Sequence, residues 1–179
     1  MEEIGYIGLF FYSFGGGYLG LVTAGILSFA GTLDLTTSII IATVANFLGD
    51  TTLFYMMRYN KAEMMGYIRK HRRKLALAHI LLKKHGDKAV VIQKFLYGIK
   101  TLIPMAIGLT KYDFKRFTII NIFASIFWGL VVGIAAYFAG ELLLPVVQYI
   151  SDHIIVTIAT LAIFLGTFFF YLEKATKKK

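Results

Sequence analysis

Two lysines, Lys94 and Lys100, stand in an otherwise apolar stretch, with Gly98 between them and Gln93, Tyr97, Thr101, Pro104 and Gly108 close by. An ammonium group at bilayer depth costs about 2.5–3.5 kcal/mol on insertion scales, so such a pair calls for a compensating partner. Each lysine is a compact charge with three N–H donors, which suits an oxyanion such as a phosphate. If the chain turns near Gly98, a half-helix starting there would add its free N–H groups and positive dipole end. The alternative is that both lysines snorkel along their stems to headgroups. Lys94, Gly98, Lys100 and Thr101 are therefore candidate phosphate-binding residues, and Gly17, Tyr18, Gln93, Tyr97 and Asn121 are candidates to line the cavity around them. Asp50 is the one acid that hydropathy places inside an apolar span, with Asn46 a turn before it. It is open to two roles: a proton or counter-ion site, or a structural ion pair with Lys94 or Lys100.

Other chemistry is scarce. There are no cysteines, so thiolate nucleophiles, disulfides and zinc-thiolate sites are excluded. His71, His79, His85 and His153 show no usable metal spacing, and the His71–His79 pair sits in strongly basic surroundings. No Ser-His-Asp or paired-carboxylate set falls within the apolar segments, so neither an enzyme nor a metal or other cofactor is expected. Asn121 and Ser125, a turn apart, could line a cavity or join helices. Trp128 reads as packing, and Arg58 as a headgroup anchor at a span's end.

The elements that position these residues belong to a membrane. Of 179 residues, 58% are hydrophobic and 16% aromatic, and the mean hydropathy is +0.69, more apolar than a solvated domain. Residues 117–140 and 154–172 carry no charge and are long enough to cross about 30 Å of hydrocarbon. The net charge of +9 is clustered between apolar segments, with ten of the 19 Lys and Arg in residues 58–88, which argues against nucleic acid. Four more lysines, Lys174, Lys177, Lys178 and Lys179, lie in residues 173–179. The positive-inside rule makes both regions cytoplasmic and residues 142–152, without Lys or Arg, external. The first residues, Met-Glu-Glu, lack a basic n-region, so Ile4 onward is expected to be mature structure.

Residues 4–33 are uncharged but hold eight glycines, including Gly15-Gly16-Gly17. Three glycines in succession invite a break, so two half-helices in a re-entrant hairpin are expected, the alternative being one kinked span. Residues 35–57 read as a spanning helix containing Asp50. Residues 61–86 form a basic amphipathic segment, either an interfacial helix with Met64, Ile68, Leu75 and Leu82 near one face or a solvated connector. Residues 89–110 lie between two basic cytoplasmic stretches and so must enter and return as a second hairpin. Irregular backbone at that depth is tolerated only where it lines a cavity or is buried in protein. The expected fold is all-α and polytopic: two oppositely oriented hairpins in an inverted repeat, each followed by a transmembrane helix, then a C-terminal span. Inverted repeats of broken helices are a transporter pattern.

The chain resembles the DedA family, the bacterial branch of the VTT-domain (SNARE-associated Golgi protein) superfamily. The resemblance runs from about Phe14 to Gly140. It is carried by Ala24-Gly25 with Gly31-Thr32-Leu33, by Gly49-Asp50 followed by Tyr55, and by the stretch from Lys94 to Thr101 with Gly108, Phe117, Asn121, Trp128 and Gly140. It implies two re-entrant hairpins and movement of phosphate-bearing lipids, such as undecaprenyl phosphate or glycerophospholipids, across the bacterial inner membrane, with links to envelope maintenance and proton motive force. The departures are Lys94 and Lys100 in place of two arginines, Tyr97 in place of a proline, and Tyr18 where the first hairpin is expected to carry an acid. The expected function is thus a lipid flippase or scramblase, with or without ion coupling, the alternative being an ion-coupled transporter of a small anionic solute. The expected partners are membrane lipids, the phosphate lipid itself and, as a candidate, further copies of the chain. The expected location is the bacterial inner membrane, multi-pass, with the C-terminus cytoplasmic.

Overall fold

The computed structural model describes residues 2–96 and 100–152; the expected span 154–172, the tail 173–179 and His153 lie outside them. All regular elements among the described residues are helical: α1 (Glu2–Phe14), α2 (Leu19–Phe29), α3 (Leu35–Tyr59), α4 (Met65–Lys70), α5 (Arg72–His85), α6 (Lys88–Ile92), α7 (Leu102–Gly108) and α8 (Phe114–Asp152), with a 3₁₀ turn over Gln93–Phe95. Residues 1–140 form one compact unit, and a second unit begins at Glu141. Two helices, Leu35–Tyr59 and Phe114–Pro145, are long and apolar enough to cross a membrane.

Chain breaks follow residue chemistry. Between α1 and α2 the chain reverses through Gly15–Tyr18, with Gly16 at φ 81°, a conformation that glycine adopts without strain. Asp34 caps α3, its carboxylate accepting the Thr37 N–H at 2.7 Å. Hydrogen bonding from Thr37, its side chain first and then this N–H, holds the Asp34 carboxyl below its usual range.

Two local expectations are corrected. The basic segment is two helices and not one, because the chain leaves helical geometry at His71 (φ −110°, ψ 17°), inside the run Arg69–Lys74, where like charges oppose continuation. The half-helix expected to start at Gly98 starts at Leu102, which puts Pro104 in its first turn, where a missing N–H costs nothing. Residues 142–152, for which an external position is expected, are helical and continue α8 to Asp152.

Two apolar clusters hold the first unit. One joins α3, α5, α6, α7 and α8 through Phe54, Met57, Leu75, Leu82, Val90, Ile103, Ile107 and Phe117, with Phe54 and Phe117 stacked at 4.6 Å. The other gathers Leu9, Leu21, Ala24, Leu33, Ala42 and Trp128. Met64 and Ile68 pack on the first cluster together with Leu75 and Leu82, so the apolar face of the basic segment is turned into the protein. Backbones approach closely at glycines: a Cβ at Gly49 would lie 2.1 Å from the Phe14 carbonyl oxygen, and one at Gly108 would lie 2.5 Å from that of Phe54.

Arg58, expected as a headgroup anchor, points instead into the protein. Its guanidinium donates to the carbonyls of Gly108 (2.9 Å), Thr110 and Tyr112 (both 2.8 Å), satisfying acceptors at and beyond the end of α7. Asp87 ties α6 to the start of α8 through Arg116, at 2.5 Å, and the Tyr112 hydroxyl. Those two donors hold the Asp87 carboxyl below its usual range. Burial, followed by the Asp87 contact, pushes the Tyr112 hydroxyl up to about 12.

Candidate functional site

Both lysines lie in the interior, at 0% exposure for Lys94 and 3% for Lys100, yet their surroundings differ. Lys94 leaves the 3₁₀ turn toward α3 and α8. Its Nζ donates to Asp50 Oδ2 at 2.6 Å, Asn46 Oδ1 at 2.6 Å and Ser125 Oγ at 2.9 Å. Three donors meet three oxygens, so this ammonium is fully satisfied. Gln93, also buried, donates to the same Asp50 oxygen at 3.3 Å.

Lys100 has no such cage. Its Nζ lies 4.1 Å from the centre of the Trp128 ring and 4.7 Å from that of Tyr18, and no hydrogen-bond acceptor reaches it among the described residues. Cation–π contact stabilises a charge without supplying an acceptor. Among the described residues the buried carboxylate and amines are Asp50, Lys94 and Lys100, one acid for two bases. Protonated, Lys100 would carry a charge that Asp50 does not neutralise, an arrangement suited to one anionic group.

The remaining candidates fall around this centre. Tyr18, at the start of α2, meets Trp128 edge to face at 5.8 Å. Gly17 packs on the Tyr12 ring, which a Cβ would enter at 2.0 Å. Thr101 touches the other chain reversal, its Cγ2 lying 2.7 Å from where a Gly16 Cβ would be. Asn121 donates to the Phe47 carbonyl at 3.2 Å and Thr51 Oγ1 at 3.3 Å, joining α8 to α3. Tyr97 and Gly98 lie outside the described residues.

Sequence reasoning read Trp128 as packing, left Ser125 between cavity lining and joining helices, and gave Asn46 no role of its own; Trp128 does pack in a core cluster and also meets Lys100, while Ser125 and Asn46 hold Lys94. Their signal was nonetheless present: Asn121, Ser125 and Trp128 recur at helical spacing on one face of α8, and Asn46 and Asp50 do so on α3. No group of three metal-ligating side chains occurs among the described residues.

Comparison with known proteins bears on the family to which the chain belongs. Residues 7–138 match the family model of the VTT domain. The inner membrane protein YohD of Escherichia coli is 23% identical over 154 residues, covering 86% of this chain and 80% of YohD. The undecaprenyl phosphate transporter A of Staphylococcus aureus is 30% identical over 117 residues, covering 61% of this chain and 58% of that protein. The inner membrane protein YqjA of Escherichia coli is 27% identical over 155 residues, covering 83% of this chain and 68% of YqjA. No solved structure matches.

Proposed function

The chain belongs to the VTT domain family, in its bacterial DedA branch, and is a membrane protein; from that premise we propose that it carries a phosphate-bearing lipid across the bacterial inner membrane. The observation that carries this reading is Lys100, a buried cation held on two aromatic faces with no acceptor of its own among the described residues. A lipid phosphate would supply the missing oxygens, and the dry surroundings would strengthen the contact. Lys94 would set the local field, with its own charge neutralised by Asp50. Undecaprenyl phosphate and glycerophospholipids share the recognised group, and the Staphylococcus aureus relative is named for the first of them.

The architecture we propose around this site is two re-entrant hairpins of opposite orientation. In support, α1 and α2 have 13 and 11 residues, so at about 1.5 Å per residue each is shorter than the roughly 30 Å hydrocarbon layer. The second hairpin, α6 to α7, has still shorter helices. Their reversals would meet near the midplane, where Gly16 lies against Thr101. The basic residues 58–88 would face the cytoplasm, as would the C-terminus.

Reconstitution tests the reading. In liposomes containing fluorescent phosphatidic acid or undecaprenyl phosphate, the protein should move lipid between leaflets faster than empty liposomes do, and Lys100→Met should remove the excess. No excess with any phosphate lipid would refute the proposal. Efflux of a trapped soluble anion in place of lipid movement would assign the site to small anionic solutes.

A further inference from the structure

The first unit contains an apolar groove of about 310 Å³ that the headgroup reading does not use. Its walls are Phe14 from α1, Leu53 and Met56 from α3, Met64 and Met105. Gly15 and Thr101, next to Gly16 and Lys100 in sequence, also line it, as does Tyr67 on α4, just before the basic run Arg69–Lys74.

We infer that this groove holds the hydrocarbon chain of the phosphate lipid while its headgroup is at Lys100; the inference rests on the headgroup reading above and adds to it where the rest of the substrate lies. Apart from the hydroxyls of Thr52, Tyr67 and Thr101, the lining side chains are hydrocarbon, thioether or aromatic. A cavity of this kind is a poor home for ordered water and a good one for an apolar ligand. Three methionines lend it an adaptable wall, which suits a flexible chain of variable shape. Thr101, the residue after Lys100, lines the groove, so the groove adjoins the cation site and a lipid with its headgroup at Lys100 would have its hydrocarbon beside this wall. The basic run Arg69–Lys74, which begins two residues after Tyr67 of the lining, would attract anionic headgroups. These features favour a lipid over a partner helix, which would leave the buried cation without its anion.

The test uses the full chain in liposomes containing phosphatidic acid with a diazirine in one acyl chain. After illumination, labelled peptides are mapped by mass spectrometry. Thr52 is exposed and Met56 is 36% exposed, so Thr52→Trp with Met56→Trp fills the groove without entering the buried clusters. Ile40→Trp, at a site 57% exposed on the same helix, is the control. Labelling is expected at Met56, Met64 and Met105 in the wild type and in Ile40→Trp. It should fall about tenfold in the double variant, the change produced by roughly 1.4 kcal/mol of lost affinity. Labelling confined to the outer faces, or unchanged by the double variant, overturns the groove assignment even if lipid movement is intact. Groove labelling without any lipid movement keeps the assignment and overturns the transport reading.

Discussion

Replacing the two lysines one at a time by methionine, which keeps length and removes charge, should separate their roles by the sign of the stability change. Lys94→Met removes three hydrogen bonds and leaves Asp50 buried with Gln93 as its hydrogen-bond donor. Breaking a buried ion pair from one side costs about 3–5 kcal/mol. For a chain of this length that lowers the melting midpoint by roughly 6–20 °C. Lys100→Met removes no hydrogen bond among the described residues. It loses two aromatic contacts, worth about 0.5–2 kcal/mol each. It also relieves the burial of an unpaired ammonium, which costs several kcal/mol. The balance is neutral or stabilising. Thermal unfolding in detergent reads the stability, and lipid movement in liposomes reads the activity. Lys100→Met should stay folded and lose transport, whereas Lys94→Met should lose stability first. Joining Lys94→Met to Asp50→Leu removes both charges and should recover most of the loss. Equal destabilisation by the two single variants would give Lys100 a structural partner and refute the reasoning; full transport by Lys100→Met would remove it from headgroup binding.

Three further outcomes follow from packing and charge. Gly49→Ala drives a Cβ to 2.1 Å from the Phe14 carbonyl oxygen and should cost about 1–3 kcal/mol or more, whereas Gly8→Ala, with nothing within 4 Å, should be tolerated; melting midpoints compare the two. Arg58→Ala leaves three carbonyls without their charged donor and should cost about 2–3 kcal/mol, with Arg58→Lys recovering only part because an ammonium lacks the planar fork. The Asp87 carboxyl is held low, so its contribution is present above the unfolded value near pH 4 and is lost as pH falls through the folded value. Tyr112 is pushed up to about 12, so its contribution is present below about pH 10 and lost as pH rises through 12. Midpoints measured against pH should show the acid loss in the wild type and not in Asp87→Asn.

What the sequence made legible was the chain's own local chemistry. Hydropathy marked residues 35–57 and 117–140, and glycines marked the reversal after Phe14, because span length and backbone freedom are properties of neighbouring residues. The difference between the two lysines was not legible, since both occupy the same apolar run and differ only in which distant element meets them. Lys94 is satisfied by residues 44 and 48 positions earlier and 31 positions later. Arg58 shows the same limit: at the end of a basic-flanked span it reads as an anchor, but its acceptors lie at least 50 residues away. The start of α7 could have been placed better, because Pro104 is tolerated in a helix's first turn and disfavoured further in, which argues for a start after Gly98. Buried charge is the case in which this distinction matters most. A satisfied ammonium stabilises the fold and an unsatisfied one weakens it, so a cation that the fold buries without an acceptor among the described residues is better explained by a ligand than by packing.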